Sequence, residues 1–164
     1  MTTLSLGVYD VPYADADNSA PASSKPRKGR APKRLRRTKT TSTGDVAEIL
    51  ETKYGIMQAF FDYYQEKITA KLESDIAAQI ENLFLGAPPA PNPFAGLESF
   101  VKSCFSDFLS LRQVEMVGLK GVPTQAALSG VNHRMKHPYA KRGPRPSFID
   151  TGLYENSFVA EVKA

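Results

Sequence analysis

Three groups of residues in this chain have the types and spacing that could do chemistry. Asp150, Thr151 and Gly152 form an Asp-Thr-Gly triplet. Two such loops facing each other let a pair of carboxylates share one proton, the device of an aspartic protease. The chain holds one copy, so that chemistry would need a homodimer and a mostly β fold. The plainer expectation is structural: Asp150 or Thr151 caps a turn, Gly152 admits a close backbone approach, and Leu153, Tyr154, Phe158 and Val159 pack. His133 and His137 lie four apart, the spacing of a two-histidine metal pair on one helix face. Pro138 and the lack of an acidic partner favour solvent-facing histidines instead. Cys104 is the single cysteine, which excludes an internal disulfide framework and a multi-cysteine zinc site. It sits on an apolar helical face, where a buried structural thiol is expected. With no glycine-rich phosphate loop, no triad and no carboxylate pair set for acid–base work, the chain reads as a non-enzyme without metal or cofactor.

A different kind of site is electrostatic. Lys25, Arg27, Lys28, Arg30, Lys33, Arg34, Arg36, Arg37 and Lys39 fall within fifteen residues that contain no acid. The formal net charge of the whole chain is only +4, so everything outside this run is net acidic. Such a run is a footprint for a polyanion, either nucleic acid or an acidic protein surface. No aromatic residues interleave it, so contact with nucleic acid would be to phosphate and without sequence preference. The neighbouring residues are too polar and too alike in charge to fold alone, and residues 14–43 read as a basic, low-complexity linker.

The elements around these groups predict a mainly α fold: a long amphipathic helix paired with a second helix, plus extended arms at both ends. From Gly44 to Gly86 the apolar residues recur in helical steps of three and four. Asp45 with Glu48 reads as a capping box, Gly55 is the expected bend, and Gly86 before Ala-Pro-Pro ends the run. Unbroken, this helix would span about 60 Å. Its row Ile68, Leu72, Ile76, Ile80 and Leu83 either packs within the chain or meets another subunit, and the spacing does not separate the two. A stiff proline-rich connector follows at residues 87–96. The second helix, residues 96–116, carries Phe100, Val101, Cys104, Phe105 and Phe108 on one broad face, a natural cover for residues 54–68. Thr124 is placed to cap a third helix running to about Lys136. The organisation is therefore a docking arm at 1–13, the linker at 14–43, a helical body at 44–136 and an extended arm with the Asp-Thr-Gly turn at 137–164.

Residues 1–13 alternate weakly, with Leu4, Leu6, Val8, Tyr9, Val11 and Tyr13 as strand-like material and no adjacent strand to pair with. The expectation is that this arm adds itself to a sheet edge on another protein through Leu6, Val8, Tyr9, Val11 and Tyr13. The first twenty residues lack the basic start and apolar run of a secretory signal, and charge interrupts every apolar stretch too often for a membrane span. Synthesis and retention in cytoplasm are expected, with no membrane contact.

Two stretches together carry a family resemblance. Residues 146–162, PSFIDTGLYENSFVAEV, resemble the proline-preceded Asp-Thr-Gly-x-x-x-x-Ser pattern of structural and tail-completion proteins of tailed bacteriophages. Residues 41–61, through Gly44, Asp45, Val46, Ala47, Glu48, Ile49, Leu50, Glu51, Tyr54 and Met57, are similar to the start of a virion protein of contractile-tailed phages. The opening LSLGVYDVPYA has the same character, and the three cover about a third of the chain. The resemblance implies a virion structural protein, made in the bacterial host cytoplasm, that assembles as a homo-oligomeric ring at the neck between head and tail. Its partners would be other virion proteins: a portal or adaptor, a tail terminator, a tube or a sheath. A baseplate or other tail-associated position is the alternative placement. On this reading Phe148, Ile149, Asp150, Thr151, Gly152, Leu153, Tyr154 and Phe158 would wedge into an adjacent subunit. The rival reading is a basic-tailed nucleic-acid-binding accessory protein.

Overall fold

A computed structural model of the protein describes residues 3–13, 41–130, 143–149 and 152–163. In chain order the elements are β1 (Thr3–Val8), α1 (Thr43–Tyr54), α2 (Ile56–Phe84), α3 (Ala95–Ser110), α4 (Gln113–Met116), α5 (Gln125–Ser129), α6 (Leu153–Asn156) and β2 (Phe158–Lys163). The fold is mainly helical, as the periodicity predicts.

The predicted long helix is two helices. Gly55 adopts the left-handed conformation (φ 63°, ψ 44°), closing α1 through its N–H to Glu51 O and opening α2. A side chain there would be strained, which is why the break falls on the one glycine inside the run. The start also falls three residues earlier than expected. Ser42 is the N-cap and forms the capping box with Asp45, so Glu48 takes no part. Gly86 ends α2 as predicted: its N–H reaches Leu83 O and that of Ala87 reaches Asn82 O, the paired bonds of a Schellman cap. The second predicted helix is cut after Ser110, because Arg112 takes a left-handed conformation (φ 59°) before the single turn α4. Thr124 does cap α5, accepting from the Ala127 N–H at 3.2 Å, but Gly130 (φ 63°) stops that helix at Ser129. The extension expected toward Lys136 lies outside the described residues.

Packing explains the rest. α2 and α3 run antiparallel, with Phe60 at the centre of an aromatic cluster: its ring lies 5.2 Å from Phe105, 5.7 Å from Phe108 and 5.9 Å from Phe158. Phe105 and Phe158 stack at 4.0 Å. Cys104 is buried in this face, and desolvation pushes its thiol pKa up, as suits a structural thiol. Tyr54 departs from expectation. It belongs to α1 and meets Phe148 edge-on at 5.1 Å instead of lying under α3.

The terminal arms find each other. β1 and β2 pair antiparallel with Leu4 opposite Val162, Leu6 opposite Ala160 and Val8 opposite Phe158. These six residues share one face, and that face lies on the helical core. The strand partner that the first residues lack locally is thus supplied from the far end of the same chain. The Val162 N–H, on the ladder's other side, donates to Glu98 Oε1 of α3 at 3.1 Å.

Beyond β1 the chain is pinned to the start of α1. Buried Thr43 donates its hydroxyl to Tyr9 O (2.5 Å) and accepts from the Val11 N–H (2.8 Å), while its own N–H donates to Val11 O. Asp10 Oδ1 accepts from the Gly44 N–H at 3.1 Å, and the Ser42 hydroxyl and this N–H together lower the Asp10 pKa. Thr43→Val keeps the side-chain volume and orphans Tyr9 O and the Val11 N–H. It should cost about 1–3 kcal/mol in urea unfolding and speed amide exchange at Val11 before the core opens.

Candidate partner-docking surfaces

Two surfaces stand out, one at each end of α2. The first is a cleft of about 360 Å³ where the N-terminal arm, α1, α5 and the C-terminal segment converge. α1 turns Val46, Leu50 and Tyr54 toward it, a four-residue repeat that places all three on one helix face. Tyr13 closes one side, Phe148, Leu153 and Tyr154 another, and Arg145 brings the charged group. The Arg145 N–H donates to Ala127 O at 3.0 Å and its guanidinium donates to Ile149 O, so the residue ties α5 to the C-terminal segment. Glu115 ties α4 to the same segment, accepting from the Ser147 N–H at 3.0 Å and the Ser147 hydroxyl at 2.8 Å.

Of the arm residues named from sequence, Tyr13, Phe148, Gly152, Leu153 and Tyr154 come together in this cleft. Leu6 and Val8 face the chain's own core from β1, and Ile149 also packs against that core. Phe158 is fully buried and Tyr154 nearly so, so both side chains are engaged inside the subunit, not held out toward a neighbour. Only Tyr9 (61% exposed) and Val11 remain as exposed apolar side chains of the first arm. Asp150 and Thr151 lie outside the described residues, as do His133, His137 and the whole basic set Lys25, Arg27, Lys28, Arg30, Lys33, Arg34, Arg36, Arg37 and Lys39. Gly152 has φ 74° and leads directly into α6, a conformation that glycine adopts without strain. The residues missed from sequence are those that knit the cleft, Arg145, Glu115 and Ser147. Their only local signal is polarity, which they share with dozens of solvated positions.

Tyr154 gives this cleft a pH signature. Burial, then the nearby charge of Glu51, raises its phenol pKa well above the ordinary value of 10.0. A phenol with a raised folded pKa adds stability that is fully present below the unfolded pKa and is lost as pH rises past it, because the unfolded chain ionises first. At about pH 11.5, absorbance of tyrosinate should show Tyr154 ionising only as the chain unfolds, in step with the loss of near-ultraviolet signal.

The second surface is the far end of α2. This helix is about 43 Å long and α3 only about 24 Å. Gly96, at the start of α3, lies against Asp75, and Gln79 donates to Pro93 O in the returning connector. Past Asp75 no part of α3 covers the helix. Ile76, Ile80, Leu83, Phe84 and Leu85 are 42%, 49%, 52%, 88% and 78% exposed. The predicted row therefore divides: Ile68 is buried and Leu72 packs on the core, while Ile76, Ile80 and Leu83 face outward.

The basic segment has a defined exit. The Tyr13 N–H donates to Thr41 O at 3.0 Å, and Pro12 forms a β-bridge with Ser42. The described residues that flank positions 14–40 are thus held together, and the basic set itself lies outside the described residues. Among the described residues no cluster of three His, Cys, Asp or Glu could hold a metal, and no helix is long and apolar enough to cross a membrane. No protein-family model matches the chain, and neither does any curated protein or solved structure.

Proposed function

We propose that this chain is a structural subunit of a tailed bacteriophage particle, a connector that assembles as a ring at the neck between head and tail. The observation that carries the reading is the projecting end of α2. Five exposed apolar residues gathered at a helix end cost solubility and leave much of their apolar surface in water, which is the pattern expected of a surface covered in an assembly. The phage-like segments supply the kind of assembly. The nine cations from Lys25 to Lys39 are the part of the sequence suited to an acidic partner or to DNA passing through the ring.

The test is genetic and structural. Deleting the gene from the phage genome that encodes it should leave filled heads and separate tails that fail to join, and labelled protein should locate to the neck of intact particles. Infectious, complete particles without the protein would overturn the reading. The second reading, a nucleic-acid-binding accessory protein, is favoured by the nine-cation run alone. It predicts that removing residues 25–39 abolishes DNA binding and with it the function, and that affinity falls steeply as salt rises.

A further inference from the structure

We infer that copies of this chain join head to tail, the projecting end of α2 in one copy seating in an apolar groove beside the start of α2 in the next. This rests on the reading of the chain as an assembling subunit and names the two surfaces that make the joint.

The groove, about 520 Å³, is lined by Gly55, Ala59 and Tyr63 along the start of α2 and by Met116, Val117 and Leu119 of the chain that follows α3. Gly55 has no side chain and Ala59 only a methyl group, so the helix surface is hollowed there. Tyr63, Met116 and Val117 are all exposed, and none of the residues of this groove lines the cleft of Tyr13 and Phe148. The tip that it would receive is large enough for a stable contact. At their exposures Ile76, Ile80, Leu83, Phe84 and Leu85 leave about 650 Å² in water, above the apolar patch of roughly 300–600 Å² usual on a monomer and near the roughly 800 Å² that each partner gives to a standard interface.

Tip and groove belong to one continuous helix. α2 has no glycine or proline inside it, and its rise sets Phe84 about 32 Å from Tyr63. The tip therefore cannot enter the groove of its own chain, and a second copy must offer one. Charge decides between that groove and a second tip. From Leu72 to Val101 the sequence contains Glu73, Asp75, Glu81 and Glu98 and not one Lys or Arg. Asp75 is paired with Lys71 at 2.6 Å and Glu98 accepts from Val162 and Asn92, which leaves Glu73 and Glu81 exposed beside the apolar residues. Two tips laid together would set these acids against their own copies, near the negative ends of two helix dipoles. In the groove the one lining acid, Asp62, already accepts from the Gln58 amide at 2.8 Å, and exposed Lys120 follows Leu119. Unlike surfaces then meet at each joint, the contact that closes into rings or continues as a filament.

Sedimentation of the full chain tests the joint. The wild-type protein should form species larger than the monomer as its concentration rises, and should keep them at about 0.5 M salt, because apolar burial is not screened as ion pairs are. Phe84→Ser with Leu85→Ser should weaken association roughly tenfold or more, and Met116→Glu with Val117→Ser should do the same. Helix content and melting of the monomer should be unchanged in both variants, since all four positions are exposed. Mixed together, the two variants hold one intact groove and one intact tip between them. They should pair to a product of twice the chain mass that grows no further. A wild type that stays monomeric, as it would if another protein or another segment of this chain covered the tip, overturns the inference. So does association lost in the Phe84 variant and kept in the Met116 variant, the mark of a tip-to-tip dimer, or a mixture that stays monomeric. The gene-deletion assay is read separately: complete particles without the protein remove the phage reading and leave the joint standing, whereas a monomeric protein whose loss leaves heads and tails unjoined does the reverse.

Discussion

Ending the chain after Ser157 should abolish its cooperative unfolding transition. The cut removes Phe158, which is fully buried, stacked on Phe105 and within 5.9 Å of Phe60. It also removes Ala160 and Val162 and leaves β1 without a partner for any of its six residues. Loss of one buried phenylalanine alone costs about 3–5 kcal/mol, against a typical total of roughly 5–15 for a domain. With the strand pairing lost as well, the remaining helices should keep far-ultraviolet ellipticity and lose near-ultraviolet signal and a sharp calorimetric peak. The outcome discriminates between two uses of the C-terminal segment. Had the segment belonged to a neighbouring subunit, the shortened monomer would melt much as the full chain does.

The second large effect is the contrast between two phenylalanines of one helix. Phe60→Ala should lower stability by about 3–5 kcal/mol in denaturant unfolding, because Phe60 is fully buried and its ring meets those of Tyr64, Phe105, Phe108 and Phe158. Phe84→Ala, at 88% exposure, should leave the monomer within about 0.5 kcal/mol of wild type. Its effect should instead appear in self-association and in particle assembly, where a large exposed aromatic side chain is a natural anchor. An equal stability loss at both positions would mean that the end of α2 is folded against something within the subunit.

Local chemistry accounts for what was legible in the chain. The helical period of residues 44–84, the break at Gly55, the stop at Gly86 and the cap at Thr124 each depend on residues within one or two turns, and the structure has all four. The buried thiol of Cys104 follows from the same periodicity, since its neighbours at helical spacing are Phe100, Val101 and Phe108. The start of α1 falls three residues before the cap read at Asp45, at a capping box of Ser42 with Asp45 that is itself local. What no window over residues 41–48 contains is that Thr43 is also held by Tyr9 and Val11, more than thirty positions away.

The amphipathic faces, their lengths and the breaks between them were determined by the sequence itself, because backbone propensity and the spacing of apolar side chains act over a few residues. Which faces meet was decided by the tertiary structure alone. The pairing of Leu4 with Val162 joins opposite ends of the chain, and it persists because both strands lay their apolar sides on α3 and α2, where Phe158 completes the aromatic cluster. The same packing decided that the row from Ile68 to Leu83 is half core and half surface. α3 begins opposite Asp75, and beyond its reach the apolar side chains of α2 are left exposed among the described residues.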